Sequence, residues 1–178
     1  AEIKSVRDDI VLYRASTVKI KYVRKTGEIV IAINPGFANK DIPITIMFRA
    51  LGIETDREIA EYCVADMQDL QLLEMMRPSL LWGKKERSGA EIRYQTRDDA
   101  LLFLAQGYLQ NENILRDKPV EVKQKYIMGL INKYFFPHII DKDEENLPVK
   151  VRKAKYLGFI VRNVLLAKIG QIPRDRKS

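Results

Sequence analysis

The sequence has few of the side chains on which metal sites and nucleophilic catalysis depend. Its 178 residues include one cysteine, Cys63, and one histidine, His138. A single cysteine excludes an internal disulfide bond and fits a reducing compartment, and the two side chains together fall short of the four ligands of a structural zinc site. Cys63 stands at an apolar helical position, which predicts a small core residue. His138 follows Phe135-Phe136-Pro137, where a packed or capping histidine is expected rather than a catalytic base.

Long apolar runs and the common catalytic motifs are also missing. No window approaches the ~18 uncharged apolar residues of a membrane-spanning helix, so no membrane partner is expected. The sequence has no phosphate-binding glycine loop, no paired-histidine zinc motif and no Gly-x-Ser-x-Gly turn. Its clustered carboxylates, at 141–145, form a polar loop, whereas a two-metal phosphoryl-transfer site needs carboxylates that converge in a cavity. The residues therefore predict no catalytic residue, no metal site and no cofactor.

Positive charge is what the sequence has in excess, with a formal net charge of +7 and a pI of about 9.4. Two stretches, 14–25 and 150–155, concentrate it without an intervening acid. The candidate nucleic-acid-binding residues are Lys19, Lys21, Arg24, Lys25, Lys150, Arg152, Lys153 and Lys155. Lys and Arg neutralise phosphates irrespective of base sequence, so the pattern predicts weak, salt-sensitive contact with the backbone of a duplex. A solvated face is the alternative interpretation of each cluster.

Alternation of apolar and basic residues predicts a β-hairpin near the N-terminus. Residues 17–25 alternate, Thr26-Gly27 forms a turn, and residues 28–33 return as the second strand. One face of the hairpin is expected to pack and the other to carry lysines. The preceding segment, residues 1–15, is only weakly specified and is interpreted as partly helical or extended.

A nearly all-apolar helix is predicted at residues 43–51. Asp41 is its expected cap, Pro43 suits the first turn, and Gly52 suits the left-handed residue after the end. Only Thr45 and Arg49 interrupt the apolar residues, so the helix must be buried nearly all round.

Further helices are predicted along the rest of the chain, mostly where a capping residue is followed by apolar residues at helical spacing. The first predicted helix is 55–64, with Thr55 and Glu58 as its capping box, and the second starts at Asp66 and Asp69, carries Leu70, Leu73 and Met76 and is limited by Pro78. The third is 96–104, opened by Thr96 and Asp99. The fourth is 119–136, with a broad apolar stripe centred on Val122, Tyr126, Leu130 and Tyr134 and flanked by Ile127, Ile131 and Phe135, and the fifth is 149–169, with Leu157, Ile160, Val161, Val164 and Leu165 buried. Between them lie a basic excursion at 82–89, a possible edge strand at 90–94, and a polar C-terminus expected to be loose. The fold prediction is a single α+β domain over 1–178, mostly helical, with a small antiparallel β-hairpin or sheet near the N-terminus.

Several motifs in this sequence match, in order, those of one known family. They are Asp41-Ile42-Pro43-Ile44, Phe48-Arg49-Ala50-Leu51-Gly52-Ile53, Leu72-Leu73-Glu74-Met75-Met76-Arg77-Pro78, Phe136-Pro137-His138-Ile139, Lys153-Ala154-Lys155-Tyr156-Leu157-Gly158-Phe159 and Arg174-Asp175. On these motifs the chain resembles the lobe domain of the second-largest subunit of multisubunit DNA-directed RNA polymerases, of the archaeal, nuclear and large-DNA-virus type. It departs from the family in the long basic excursion after Trp82, in Pro173, and in the hairpin.

The resemblance implies that the domain acts through its place in a larger enzyme rather than through catalytic residues of its own. Such a lobe is inserted in the protrusion of its parent chain, forms a wall of the downstream DNA cleft, and docks a small zinc-ribbon subunit and initiation factors during transcription. The catalytic magnesium belongs to the whole polymerase, a nucleotidyltransferase, and none of its catalytic residues matches this sequence. The implied location is intracellular: the nucleus in a eukaryote, the cytoplasm or virion for an archaeon or virus. The start at Ala1, without Met, fits a piece of a longer protein.

Two alternatives from other classes stay open on the sequence. One is a free-standing basic helical adaptor that binds an acidic protein, which a parent gene with protrusion-like flanks would argue against. The other is a small phosphoryl-transfer enzyme, which needs a metal site that the sequence does not display.

Overall fold

An antiparallel sheet and six α-helices make up the part of the chain that the structure describes. A computed structural model describes residues 2–7, 10–15, 17–83, 94–139 and 149–177, with side chains for 12–15, 17–83, 94–139 and 149–170 of these. The strands are β1 Glu2–Arg7, β2 Ile10–Ala15, β3 Val18–Val23, β4 Glu28–Ile33 and β5 Ile42–Pro43. The helices are α1 Ile44–Ala50, α2 Asp56–Val64, α3 Leu70–Leu81, α4 Arg97–Ala105, a 3-10 helix Glu112–Leu115, α5 Val120–Tyr134 and α6 Val149–Lys177. The predicted α+β fold, with its sheet near the N-terminus, is confirmed.

The sheet runs in chain order, β1-β2-β3-β4-β5, with every neighbouring pair antiparallel. The predicted hairpin is β3 and β4, and β1 and β2 extend the sheet, so the described residues of the preceding segment, 2–7 and 10–15, are strands. In register, Tyr13, Ile20, Ile31 and Ile42 form one row across the sheet, and all four are buried. Helix α6 contacts β1, β2 and β3, while α1 and α3 contact β4, so the helices cover this apolar face.

Helix α1 is buried at all seven positions, as its apolar sequence predicts. Its predicted cap is wrong. Asp41 does not bond the helix terminus but forms an ion pair with Lys21, and Pro43 lies in β5 rather than in the first turn. Strand pairing therefore sets the start of α1 in place of a side-chain cap. Gly52 ends the segment at φ +96°, as expected for a left-handed residue.

Three of the helix starts that the sequence predicts are confirmed by their capping bonds. The hydroxyl of Thr55 accepts from Glu58 N at 3.2 Å, the carboxylate of Asp69 from Leu72 N at 3.2 Å, and the hydroxyl of Thr96 from Asp99 N at 3.1 Å. These caps fix α2, α3 and α4 at their N-termini.

Helix α3 departs from its prediction at both ends. It continues through Pro78 to Leu81, and Leu70 is 75% exposed rather than packed. Tertiary contacts hold the last turn: a Cβ at Gly27 would lie 3.0 Å from the Pro78 ring, and Ser79 Oγ accepts from Ile29 N at 2.9 Å. Packing against the hairpin thus outweighs the hydrogen bond that proline removes.

Helix α5 buries the flanking stripe, rather than the central one, of the broad apolar surface predicted for it. Ile127, Ile131 and the following Phe135 are fully buried, whereas Val122 and Tyr126 are exposed. The two stripes are adjacent and similarly apolar, so periodicity alone does not choose between them. The packing of α5 against α4 makes that choice.

Helix α6 buries the five residues predicted for it, and it extends beyond the expected end at 169 to Lys177. Cys63 is buried, as predicted, and burial raises the pKa of its thiol. The predicted acidic loop at 141–145 lies outside the described residues, as do most of the basic excursion and of the possible edge strand.

Candidate nucleic-acid interface

The strand register places three basic residues on the sheet face opposite the helices. Arg14 lies directly across from Lys19, and Lys21 follows two residues further along β3. Arg14 is exposed and the two lysines are partly exposed. Like charges directly opposite each other destabilise a strand pair by up to about 1 kcal/mol, and a bound anion would relieve this repulsion.

Acidic residues neutralise only part of the positive charge on this face. In the strand register, Glu2 of β1 lies opposite Arg14 of β2, on the side of β2 away from β3. Asp41 Oδ1 lies 2.9 Å from Lys21 Nζ. An exposed ion pair of this kind contributes little to stability and is open to exchange with another anion.

The remaining two predicted residues of this cluster, Arg24 and Lys25, are exposed in the turn between β3 and β4. Gly27 closes that turn at φ +74°, and its N–H donates to Val23 O at 2.7 Å. The turn therefore continues the basic character of the face beyond the end of β3.

The second predicted cluster does not form a patch. Successive residues of an α-helix are about 100° apart, so the cations of 150–155 are distributed around α6. Lys155 is exposed and Lys150 and Arg152 are partly buried, while Lys153 is only 2% exposed. Burial lowers the pKa of Lys150, and the charge of Arg97 lowers it further. Contact of these residues with phosphate stays a prediction, for which Lys153 is the least favourably placed because its side chain is almost completely buried.

Replacing Lys153 with Met is expected to raise the free energy of unfolding by about 1 kcal/mol at pH 7. Among the residues that the structure describes, Lys153 Nζ has one weak partner, Asn132 O at 3.4 Å, and burial lowers the pKa of Lys153 from 10.5. The advantage of Met should be complete below that lowered pKa and should vanish as the pH rises toward 10.5, where unfolded lysine also loses its proton. Urea denaturation at pH 7 and pH 10 measures this. Lys155→Met, exposed on the same helix, is the control and should change little.

Two of the cavities in the described part of the chain are lined without a histidine or a cysteine. One, of about 670 Å³, is lined by Trp82, Tyr94 and Phe103 together with Glu74 and Arg77, which pair with each other at 3.4 Å. The other, of about 370 Å³, is polar, but its Arg49 is already bonded to Asp56. Within the described residues, no three His, Cys, Asp or Glu side chains could share a metal ion, and no helix is long and apolar enough to cross a membrane.

Sequence reasoning missed one surface feature. Phe159 and Leu166 of α6 are 56% and 42% exposed although they are large and apolar. The sequence does contain a sign of this exposure. Apolar residues of α6 occur on more than one face of the helix, whereas a surface helix buries only one face.

Comparison with known proteins gives a consistent result. Residues 2–177 match the family model described as RNA polymerase Rpb2, domain 2. The chain is 30% identical over 162 residues to the RNA polymerase II subunit RPB2 of Eremothecium gossypii, covering 90% of this chain and 12% of that protein. It is 32% identical over 136 residues to Rpo2 of Saccharolobus solfataricus, covering 76% and 10%, and 24% identical over 152 residues to subunit 2 of Acanthamoeba polyphaga mimivirus, covering 84% and 12%. It spans about a tenth of the length of these relatives.

Proposed function

Because this chain belongs to the RNA polymerase Rpb2 domain 2 family, we propose that it is the non-catalytic lobe of a second-largest polymerase subunit. In this role it forms a wall of the downstream DNA cleft and a docking surface for a small zinc-ribbon subunit and for initiation factors. The observation that carries the proposal is the match over residues 2–177, which takes in every described element of the fold. Catalytic magnesium then lies elsewhere in the polymerase, and this domain contributes position and charge.

We assign contact with DNA to the basic hairpin face, defined as Arg14, Lys19, Lys21, Arg24 and Lys25. The assignment is supported by the strand register, in which Arg14, Lys19 and Lys21 lie on the face opposite the buried row of Tyr13 and Ile20, and by the exposure of Arg24 and Lys25 in the turn that follows. Backbone phosphates need only positive charge in reach, so a flat strand face suits a duplex that moves through a cleft. Contact of this kind is weak and independent of base sequence.

Changing Lys19, Lys21, Arg24 and Lys25 together to Ala should weaken duplex binding and flatten its salt dependence. Each lost phosphate contact removes about 0.9 from the slope of log K against log salt, so loss of all four would remove about 3.6. Fluorescence anisotropy with a labelled duplex at several salt concentrations measures both quantities.

The matched control changes four exposed cations outside the sheet, Arg57, Arg116, Lys118 and Lys125, to Ala. This variant loses the same formal charge, so a purely long-range effect would weaken binding equally. Equal slopes for the two variants would remove the hairpin face from the proposed interface.

We also propose that the domain is inserted within its parent chain. Insertion requires chain ends that lie near each other, and β1 and α6, the first and last elements, are in contact, which supports this arrangement. A free-standing adaptor remains the competing function. Protrusion-like sequence on both sides of this segment in the parent gene supports the lobe, and its absence supports the adaptor.

A further inference from the structure

Helix α6 carries an exposed stripe of mixed apolar and basic residues: Lys155, Phe159, Arg162 and Leu166. Their spacing of four, three and four residues keeps them within one narrow strip of the helix. Phe159 is 56% exposed and Leu166 is 42% exposed. Exposed apolar side chains are common singly, but two on one strip of a helix, alternating with cations, form the pattern of a contact surface.

The other sides of α6 hold this stripe rigidly in place. Leu157, Val161 and Val164 are buried in the core, and Gly158 packs against the backbone of Tyr62. A partner would therefore meet a surface that is already ordered, which lowers the entropic cost of binding.

The charge of α6 indicates the chemistry of that partner. From Val149 to Arg174 the sequence contains no Asp or Glu. Within the described part of the chain, Lys155 and Arg162 have no ion-pair partner, and Arg162 Nε is buried without a hydrogen bond. Carboxylates from outside the described chain would complement both cations.

We propose that this stripe docks an acidic amphipathic helix of another polypeptide in the polymerase assembly. The inference rests on the proposed function, because it names the chemistry of one partner for the docking role. The partner helix places two apolar side chains on Phe159 and Leu166 and carboxylates beside Lys155 and Arg162. A second copy of this chain would bring like charges together, and duplex DNA offers phosphates but no apolar surface to cover the Phe159 ring.

Photo-crosslinking tests the proposal in the assembled polymerase. p-Benzoylphenylalanine replaces Phe159 in the full-length subunit, and co-purification with the largest subunit is scored before irradiation. The expected product is an adduct to a protein segment with apolar residues at helical spacing and more acidic than basic residues. The same probe at Ile114, which is 46% exposed on the 3-10 helix, should not label that segment.

A second measurement uses a synthetic peptide of the crosslinked segment and the full-length subunit. Replacing Phe159 and Leu166 with Ser should weaken peptide binding by at least about 30-fold, the loss expected for even one hot-spot residue. Arg162→Glu should also weaken it, and a Lys in place of one peptide acid should restore it. Leu70→Ser, an exposed apolar residue on α3, is the control and should leave affinity unchanged.

The outcomes separate this inference from the function on which it rests. A subunit that does not assemble with the largest subunit even with Phe159 intact would overturn the lobe function and, with it, the docking site. Normal assembly with adducts only to DNA, to basic segments or to nothing would overturn the docking site alone. Equal loss of affinity in the Leu70→Ser control would do the same.

Discussion

Gly158→Ala is expected to lower the free energy of unfolding by about 3 kcal/mol, although Ala is the better helix former by about 1 kcal/mol. A Cβ at this position would overlap Tyr62 O and would lie 2.8 Å from Tyr62 C. These are backbone atoms of α2, so no side-chain rotation relieves the overlap and the two helices must separate. Because α6 also covers β1, β2 and β3, its displacement would disturb the sheet as well.

Urea denaturation and thermal melting measure this effect, and a loss of about 3 kcal/mol corresponds to a melting temperature lower by roughly 6–12 °C in a chain of this size. Gly129→Ala is the control, because Gly129 is also helical and no atom of the described residues lies within 4 Å of its added Cβ. It should stabilise the chain by about 0.5–1 kcal/mol. Effects of the same sign in both variants would contradict a close approach of α2 and α6 at Gly158.

The sequence predicts the helices and the hairpin well because their signals are local. The hydroxyl of Thr55 or Thr96 caps a helix whose first turn is only three residues away, and the alternation around Ile20 needs no distant information. The same local rules fail where a distant segment decides the structure. Pro78 stays helical because of the hairpin turn, and Asp41 leaves its cap position for Lys21.

The candidate site likewise has a part that the sequence predicts and a part that it does not. The strand register converts the cations at 19 and 21 into a shared face, because side chains two residues apart in a strand point to the same side. The cations of 150–155 are equally dense in the sequence, but helical geometry spreads them and buries Lys153. The exposed Phe159 was not predicted, because periodicity identifies the buried positions of a helix and does not indicate which other apolar residues are left without a partner.

The second large effect is expected at Arg49, the one residue of α1 with a charged side chain. Arg49 is 3% exposed, and its guanidinium donates to three acceptors: Asp56 Oδ1 at 2.6 Å, Glu54 O at 3.1 Å and Tyr94 O at 3.1 Å. These bonds tie the central helix to the loop before α2 and to the segment that leads into α4. Burial lowers the pKa of Arg49, but a guanidinium keeps its charge in proteins, so the charge must be compensated in place.

Arg49→Met is therefore expected to lower the free energy of unfolding by about 3 kcal/mol, since it removes the bonds that Arg49 donates to two backbone carbonyl oxygens and to the Asp56 carboxylate. Arg49→Lys should recover only part of the loss, because an ammonium keeps the charge but lacks the planar donor geometry that serves three acceptors. Urea denaturation of both variants measures the order of stability: wild type, then Lys, then Met.

Two comparisons separate this network from an ordinary surface ion pair. Arg57, whose side chain is 84% exposed, pairs with Glu61 at 3.2 Å, and Arg57→Met should cost less than about 0.5 kcal/mol. Asp56→Asn removes one charged acceptor whose side chain is 33% exposed, and it should cost less than Arg49→Met because both carbonyl bonds survive. If Asp56→Asn instead accounted for the whole loss, the ion pair alone would hold α1, and the bonds to Glu54 and Tyr94 would contribute nothing measurable.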